Sequence, residues 1–228
     1  MITGRINLRG TRRGHPHPTS WAKAPRAQRP ELEDRIRLAQ TVIETRKARS
    51  VAYSHEEKQQ LNHAFTSADK ALNHALLAIK MEKPDTIKQN QIFFGKDAHI
   101  EATYDGLKLT QDRLRSIFLN EAIHYDNGRF LHGATAFTIL PQTASQYLEA
   151  NIFVKPSFFE LYPTQQAEVL IHEAAHSILI VVDEQMPNGS TAYGLNNAIK
   201  LARQSPTKAR NNADNWALFV SRLLENIH

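Results

Sequence analysis

The segment His172-Glu173-Ala174-Ala175-His176 constrains this chain more than any other stretch. Its neighbours are mostly apolar, Ala167-Glu168-Val169-Leu170-Ile171 before it and Ile178-Leu179-Ile180 after it. These flanks predict a helix from Thr164 to about Ile180 with a buried face. Imidazoles and a carboxylate in a buried helix need a reason. Positions i and i+4 share one helix face, so both imidazoles can bind one zinc ion. Glu173 then falls beside the open coordination position, where it can take a proton from zinc-bound water and relay it to a leaving amine. The competing reading is a surface helix with two hydrogen-bonded histidines.

A catalytic zinc needs a third protein ligand. Asp183 follows His176 by seven residues. On a continuous helix it would share the face of the histidines but lie about 10.5 Å further along the axis, beyond the reach of one ion. Asp183 can therefore be a ligand only if the helix ends between Ser177 and Val182. The β-branched run Ile180-Val181-Val182 is compatible with an end there, although no glycine forces it. Glu184 is the local rival, and Asp183 could also be a surface acid at a helix C-terminus.

The rest of the chain predicts an α+β fold, mostly helical with a small sheet. Helices are expected over 31–50, 55–83, 110–123, 192–204 and 207–226, with Ser54 as an N-cap and Pro84 as a stop. Strands are expected over 98–104, 134–140 and 151–155, and Asn127-Gly128 marks a tight turn, possible in a hairpin. Leu61-Asn62-His63-Ala64-Phe65 recurs as Leu72-Asn73-His74-Ala75-Leu76. The offset of eleven keeps both copies on one face, with His63 and His74 about 16 Å apart, so the echo reads as a packing helix rather than a metal site.

Charge divides the chain. The net charge is +5, yet residues 1–30 hold seven cations and no acid, which leaves residues 31–228 at −2. With Pro16, Pro18, Pro25 and Pro30, that arm reads as disordered. The expected organisation is a basic arm over 1–30, an N-terminal helical region over 31–90 and a catalytic domain over 91–228. The 228 residues contain no cysteine, which excludes a thiolate metal site, a cysteine nucleophile and a disulfide scaffold. No apolar run is long enough for a membrane span, and no Sec-type leader stands near the N-terminus.

Several stretches together resemble the deuterolysin and lysine-specific metalloendopeptidase family, the aspzincins. They are Asn151-Ile152-Phe153-Val154-Lys155-Pro156-Ser157-Phe158-Phe159, Gln166 to Glu173, Tyr193-Gly194, and Asn212-Ala213-Asp214-Asn215-Trp216-Ala217-Leu218-Phe219. Ile92-Phe93-Phe94-Gly95 is a further match, and coverage runs over about 92–224. The resemblance implies a zincin-like fold, a zinc ion on His172, His176 and a downstream Asp, Glu173 as general base, and Tyr193 as a phenol donor to the oxyanion. In the family the Asp stands close before Tyr-Gly, whereas Tyr193 comes ten positions after Asp183 here. An insertion over Glu184–Ser190 would reconcile the two, since Ser190 is a poor zinc ligand. Lysine-specific members are similar around Asp214 but carry another acid three residues later, where this chain has Ala217. Asp214 is thus a candidate for binding substrate, or equally a helix-capping or loop-bonding acid.

The function expected is a zinc endopeptidase acting on a protein or peptide. The absence of cysteines and the basic arm fit a bacterial effector or toxin delivered into another cell without a Sec signal, or else a cytoplasmic protein. The altered Asp-to-Tyr spacing motivates an alternative, a catalytically inactive zincin-fold binding module. The −2 of residues 31–228 argues against nucleic acid as a partner.

Overall fold

A central helix carries the His172–His176 segment, and the fold is built around it. The computed structural model describes residues 4–7, 29–128, 134–140 and 150–225. In chain order the elements are β1 (Gly4–Asn7), α1 (Arg29–Lys47), α2 (His55–Lys80), α3 (Pro84–Phe94), α4 (Ile100–Leu119), β2 (Ile123–Tyr125), β3 (Ala136–Leu140), β4 (Ile152–Val154), α5 (Pro156–Phe159), α6 (Pro163–Leu179), α7 (Leu195–Gln204), α8 (Pro206–Arg210) and α9 (Ala213–Glu225). The architecture is α+β and mostly helical.

α6 packs against α2, α4 and α9 on its helical sides and against β3 on the other. α2 opens on a reciprocal cap: the Glu57 N–H donates to the Ser54 hydroxyl, and the Ser54 N–H to the Glu57 carboxylate. Its buried stripe runs through Leu61, Ala64, Ala68, Leu72 and Ala75. Both copies of the eleven-residue echo thus face the core, while His63 is exposed and His74 half-buried. The same apolar cluster continues through Phe93, Leu107, Leu114, Leu170, Ala174, Phe219 and Val220, so residues 55–80 share a core with the segments that follow.

The sheet runs β1-β3-β4-β2. β4 pairs in parallel with β2 and antiparallel with β3, and β1 joins the outer edge of β3 in parallel. Side chains on β3 alternate between two covered faces. Phe137 and Ile139 join Phe153, Ile43 and Val42 of α1, whereas the Thr138 hydroxyl donates to the Glu173 carbonyl of α6 at 3.4 Å.

Four expectations need correction. Residues 98–104 are not a strand: α4 begins at Ile100 and ends at Leu119. The buried set Thr103, Leu107, Thr110, Leu114 and Ile117 has helical spacing instead. Gly106 sits inside this helix because Trp216 packs on it, and a Cβ there would lie 2.5 Å from the indole ring. Asn127-Gly128 does not close a hairpin, since β2 pairs in parallel with β4, two strands later in the chain. Residues 207–226 are not one helix, since α8 ends at Arg210 and α9 begins at Ala213. Finally, the arm expected to be disordered contributes Gly4–Asn7 to the sheet; residues 1–3 and 8–28 lie outside the described residues.

Candidate metal centre

His172 and His176 lie one turn apart on α6, at 1% and 0% exposure. Their Nε2 atoms are 3.0 Å apart. Asp183 brings Oδ1 to 3.1 Å from Nε2 of His172 and 3.2 Å from Nε2 of His176. These three residues form the only metal-competent group among the described residues.

The helix end that Asp183 requires is made by Ile180, the residue after α6, which adopts the left-handed conformation at φ 59°. For a β-branched residue that conformation costs about 1–2 kcal/mol, so surrounding contacts must hold it. The chain leaving this turn is clamped by the α8–α9 junction. The Val182 N–H donates to the Asn211 carbonyl at 2.8 Å, and the Ala213 N–H to the Val182 carbonyl at 3.0 Å.

Residues 184–192 then form the insertion as a small hairpin. Gln185 bridges Thr191, the Met186 N–H donates to the Ser190 carbonyl, and the Ala192 N–H to the Glu184 carbonyl. Met186 anchors it in a separate apolar cluster with Ala192, Leu201, Ala202 and Ala209. The hairpin pinches Glu184 against Ala192, so Asp183 and Tyr193 become spatial neighbours although Tyr193 comes ten positions later. The Tyr193 ring lies 6.1 Å from the His172 ring, centre to centre.

The outer contacts fix the ring orientations. Nδ1 of His176 donates to the Val181 carbonyl at 2.8 Å. Nδ1 of His172 faces Oδ1 of Asp214 at 3.3 Å. With Nδ1 of each ring turned to an acceptor, each Nε2 presents a lone pair toward the Asp183 oxygen. Three electron-pair donors converging in a buried space call for a proton or a metal ion between them. They are about 1.8 Å from a common point, and zinc bonds to such donors are about 2.0–2.2 Å, so the triangle fits the ion as it stands. A zinc ion held by these three residues would keep room for a water or substrate ligand, as a catalytic site requires. A proton competes with the metal for these same lone pairs. Burial lowers the His172 pKa, but hydrogen bonds to Asp183 and Asp214 outweigh it and hold the pKa well above its ordinary value. Burial raises the Asp183 pKa, but His176 and His172 outweigh it and hold the carboxyl far below the carboxylate range.

The chain matches the family described as lysine-specific metallo-endopeptidase over residues 82–221. It belongs to that family, the aspzincins. Among solved structures it is similar to a zinc peptidase from Grifola frondosa, at 21% identity and a TM-score of 0.55, covering 75% of this chain and 97% of that one. At that identity the likeness is one of fold. No curated protein matches the chain. As an aspzincin the chain is a zinc-dependent endopeptidase with protein or peptide substrates, and its His-His-Asp group has the donor atoms and spacing to hold a metal ion.

The structure brings His172, His176, Asp183, Tyr193 and Asp214 together, with Glu173 fully buried on α6 between the ligands. Asp214 sits behind His172 rather than open to a cleft: Oδ1 faces the ring and Oδ2 accepts the Gly194 N–H at 2.6 Å. Both oxygens are engaged within the protein, which favours the loop-bonding role over contact with substrate. Sequence reasoning missed Asn212. Its Oδ1 accepts the Glu184 N–H at 3.0 Å, and its Nδ2 donates to the Ala192 carbonyl at 3.3 Å and to Oδ1 of Asn215 at 2.8 Å. The only available signal was its place in the Asn-Ala-Asp-Asn stretch.

Proposed function

We propose that this aspzincin cleaves its substrate by general-base hydrolysis of the HExxH type, with Glu173 as the base and Tyr193 as an oxyanion donor. The reading is carried by the 3.0–3.2 Å triangle of His172, His176 and Asp183, which builds an open three-ligand centre beside Glu173. His172, His176 and Asp183 would hold the zinc ion, which would supply Lewis-acid polarisation of the scissile carbonyl and a water acidic enough to lose a proton near neutral pH. Glu173 has no exposed surface, and its negative charge acts on the His172 ring. A carboxylate so placed takes the proton of the attacking water and returns it to the leaving amine. Tyr193, half-exposed beside His172, supplies a phenol hydrogen to the oxygen on which charge develops. Asp214 keeps Nδ1 of His172 engaged so that Nε2 stays a ligand.

The test is zinc content beside cleavage of an unfolded protein. Wild type is expected to hold about one zinc per chain, lost in His176→Ala and Asp183→Ala. Glu173→Ala is expected to keep zinc and lose cleavage by orders of magnitude. Unchanged cleavage in Glu173→Ala excludes it as the base. A zinc-loaded wild type that cleaves nothing favours the binding-module reading.

We further infer delivery into another cell, as an effector or toxin. The support is compositional: no cysteine to require an oxidising compartment, and seven cations without an acid in residues 1–30. Export that persists after deletion of residues 1–30 removes the role assigned to the arm.

A further inference from the structure

β3 is the strand that bears on the active helix, through the hydroxyl of Thr138 on the carbonyl of Glu173. Its inner edge is filled by β4. Its outer edge is filled by the chain's own N-terminal segment, with Gly4 opposite Phe137, Arg5 opposite Thr138, Ile6 opposite Ile139 and Asn7 opposite Leu140. The backbone of β1 therefore lies one strand spacing, about 4.8 Å, from the strand that touches the residue of the base.

An open edge beside a hydrolytic site binds extended peptide through main-chain hydrogen bonds, largely regardless of side chains. That is the contact a peptidase needs to hold a protein segment near its metal. Here a segment of the enzyme already makes it. The pairing spans four residues, short for a strand, and 21 residues separate Asn7 from Arg29 at the start of α1. A short strand on such a tether rebinds at high effective concentration, yet its few bonds allow release.

We propose that Gly4–Asn7 is an internal competitor for a peptide-binding sheet edge: the outer edge of β3 receives the extended substrate segment, and β1 must leave for it to enter. The substrate half of this statement rests on the peptidase reading; the occupancy half does not.

Two variants of the full-length protein separate the halves, a deletion of residues 1–10 and the double substitution Arg5→Pro with Ile6→Pro, which removes ladder donors while keeping the arm. Amide hydrogen exchange over residues 136–140 is expected to accelerate at least tenfold in both. A synthetic peptide of residues 1–12, added in trans, is expected to restore protection. With an unstructured peptide substrate, both variants are expected to show a KM lowered several-fold at unchanged kcat, and the 1–12 peptide to inhibit competitively. Unchanged exchange in both variants overturns the occupancy. Faster exchange with unchanged KM overturns the competition. If no form cleaves any peptide while exchange still responds to β1, the occupancy stands and the peptidase reading fails.

Discussion

Asn212 offers one carbonyl oxygen and two N–H hydrogens, and the fold engages both ends of the amide. Through the Glu184 N–H and the Ala192 carbonyl it ties the two limbs of the hairpin at the residues next to Asp183 and Tyr193. Truncation in Asn212→Ala strips partners from two backbone groups, at about 1–3 kcal/mol for each left unsatisfied. It also frees Asp183 to drift from the histidines. Zinc affinity is expected to fall about 10–100-fold, the range for groups that orient ligands, as read by competition with a chelator. Asn188→Ala, at the exposed hairpin tip, is the control and should leave affinity unchanged. Asp214→Asn should weaken zinc binding over the same range, because it removes the carboxylate that faces His172. Affinity equal to wild type in Asp214→Asn would return that residue to a substrate role. His172, Glu173 and His176 were legible in sequence because an i, i+4 pair is a local relation. Asp183 was legible only on condition that the helix ended early. Asn212 was not legible, because its partners stand 20 and 28 residues away in the chain.

At the scale of elements, misreadings occurred where a long-range contact overrode a local pattern. α4 keeps a glycine mid-helix because Trp216 of α9 occupies the space a Cβ would need. Gly106→Ala improves helix propensity yet overpacks this crossing, so a net loss of about 1–3 kcal/mol in chemical denaturation is expected. Trp216→Leu should relieve part of that loss in the double variant. A stabilised Gly106→Ala would mean the ring can move aside. β2 was missed as a parallel strand because short runs carry no mark of their partner. Its His124 gives the sheet a pH dependence. Burial lowers the His124 pKa, and Nε2 of His124 donates to Oδ1 of Asn151 at 2.8 Å. A lowered folded-state pKa means the unfolded chain binds the proton first. This contribution is present above the ordinary histidine pKa of about 6.5 and is lost as pH falls through it toward the folded value. The wild-type urea midpoint is therefore expected to drop between pH 7.5 and 5.5 by more than that of His124→Gln. Parallel behaviour of the two proteins would assign the acid sensitivity to other groups.

For the whole molecule, the boundary of the family and the boundary of the folding unit differ. The family match begins at residue 82, after α2 has ended at Lys80. Yet α2 places eight buried side chains, from Leu61 to Ile79, in the cluster that also holds Leu170, Ala174 and Phe219. Its surface against α4, α6 and α9 has no substitute among the described residues. Removing it exposes the flank of the helix that carries both histidines. A chain of residues 82–228 is thus expected to lack a cooperative unfolding transition, to bind a hydrophobic dye and to retain no zinc. A chain of residues 51–228 keeps α2 and loses both β1, which fills the outer edge of β3, and α1, which covers the face of Phe137, Ile139 and Phe153. It should keep a cooperative core and bind zinc, with lower stability and a greater tendency to aggregate through that uncovered face. The contrast between the two truncations is the test. If residues 82–228 fold and hold zinc, the metal centre depends on α6, α9 and the hairpin alone, and α2 is an added layer. If only the longer chain does so, the zinc site is a property of the four-helix core, and residues 55–80 belong to the peptidase as fully as the ligands do.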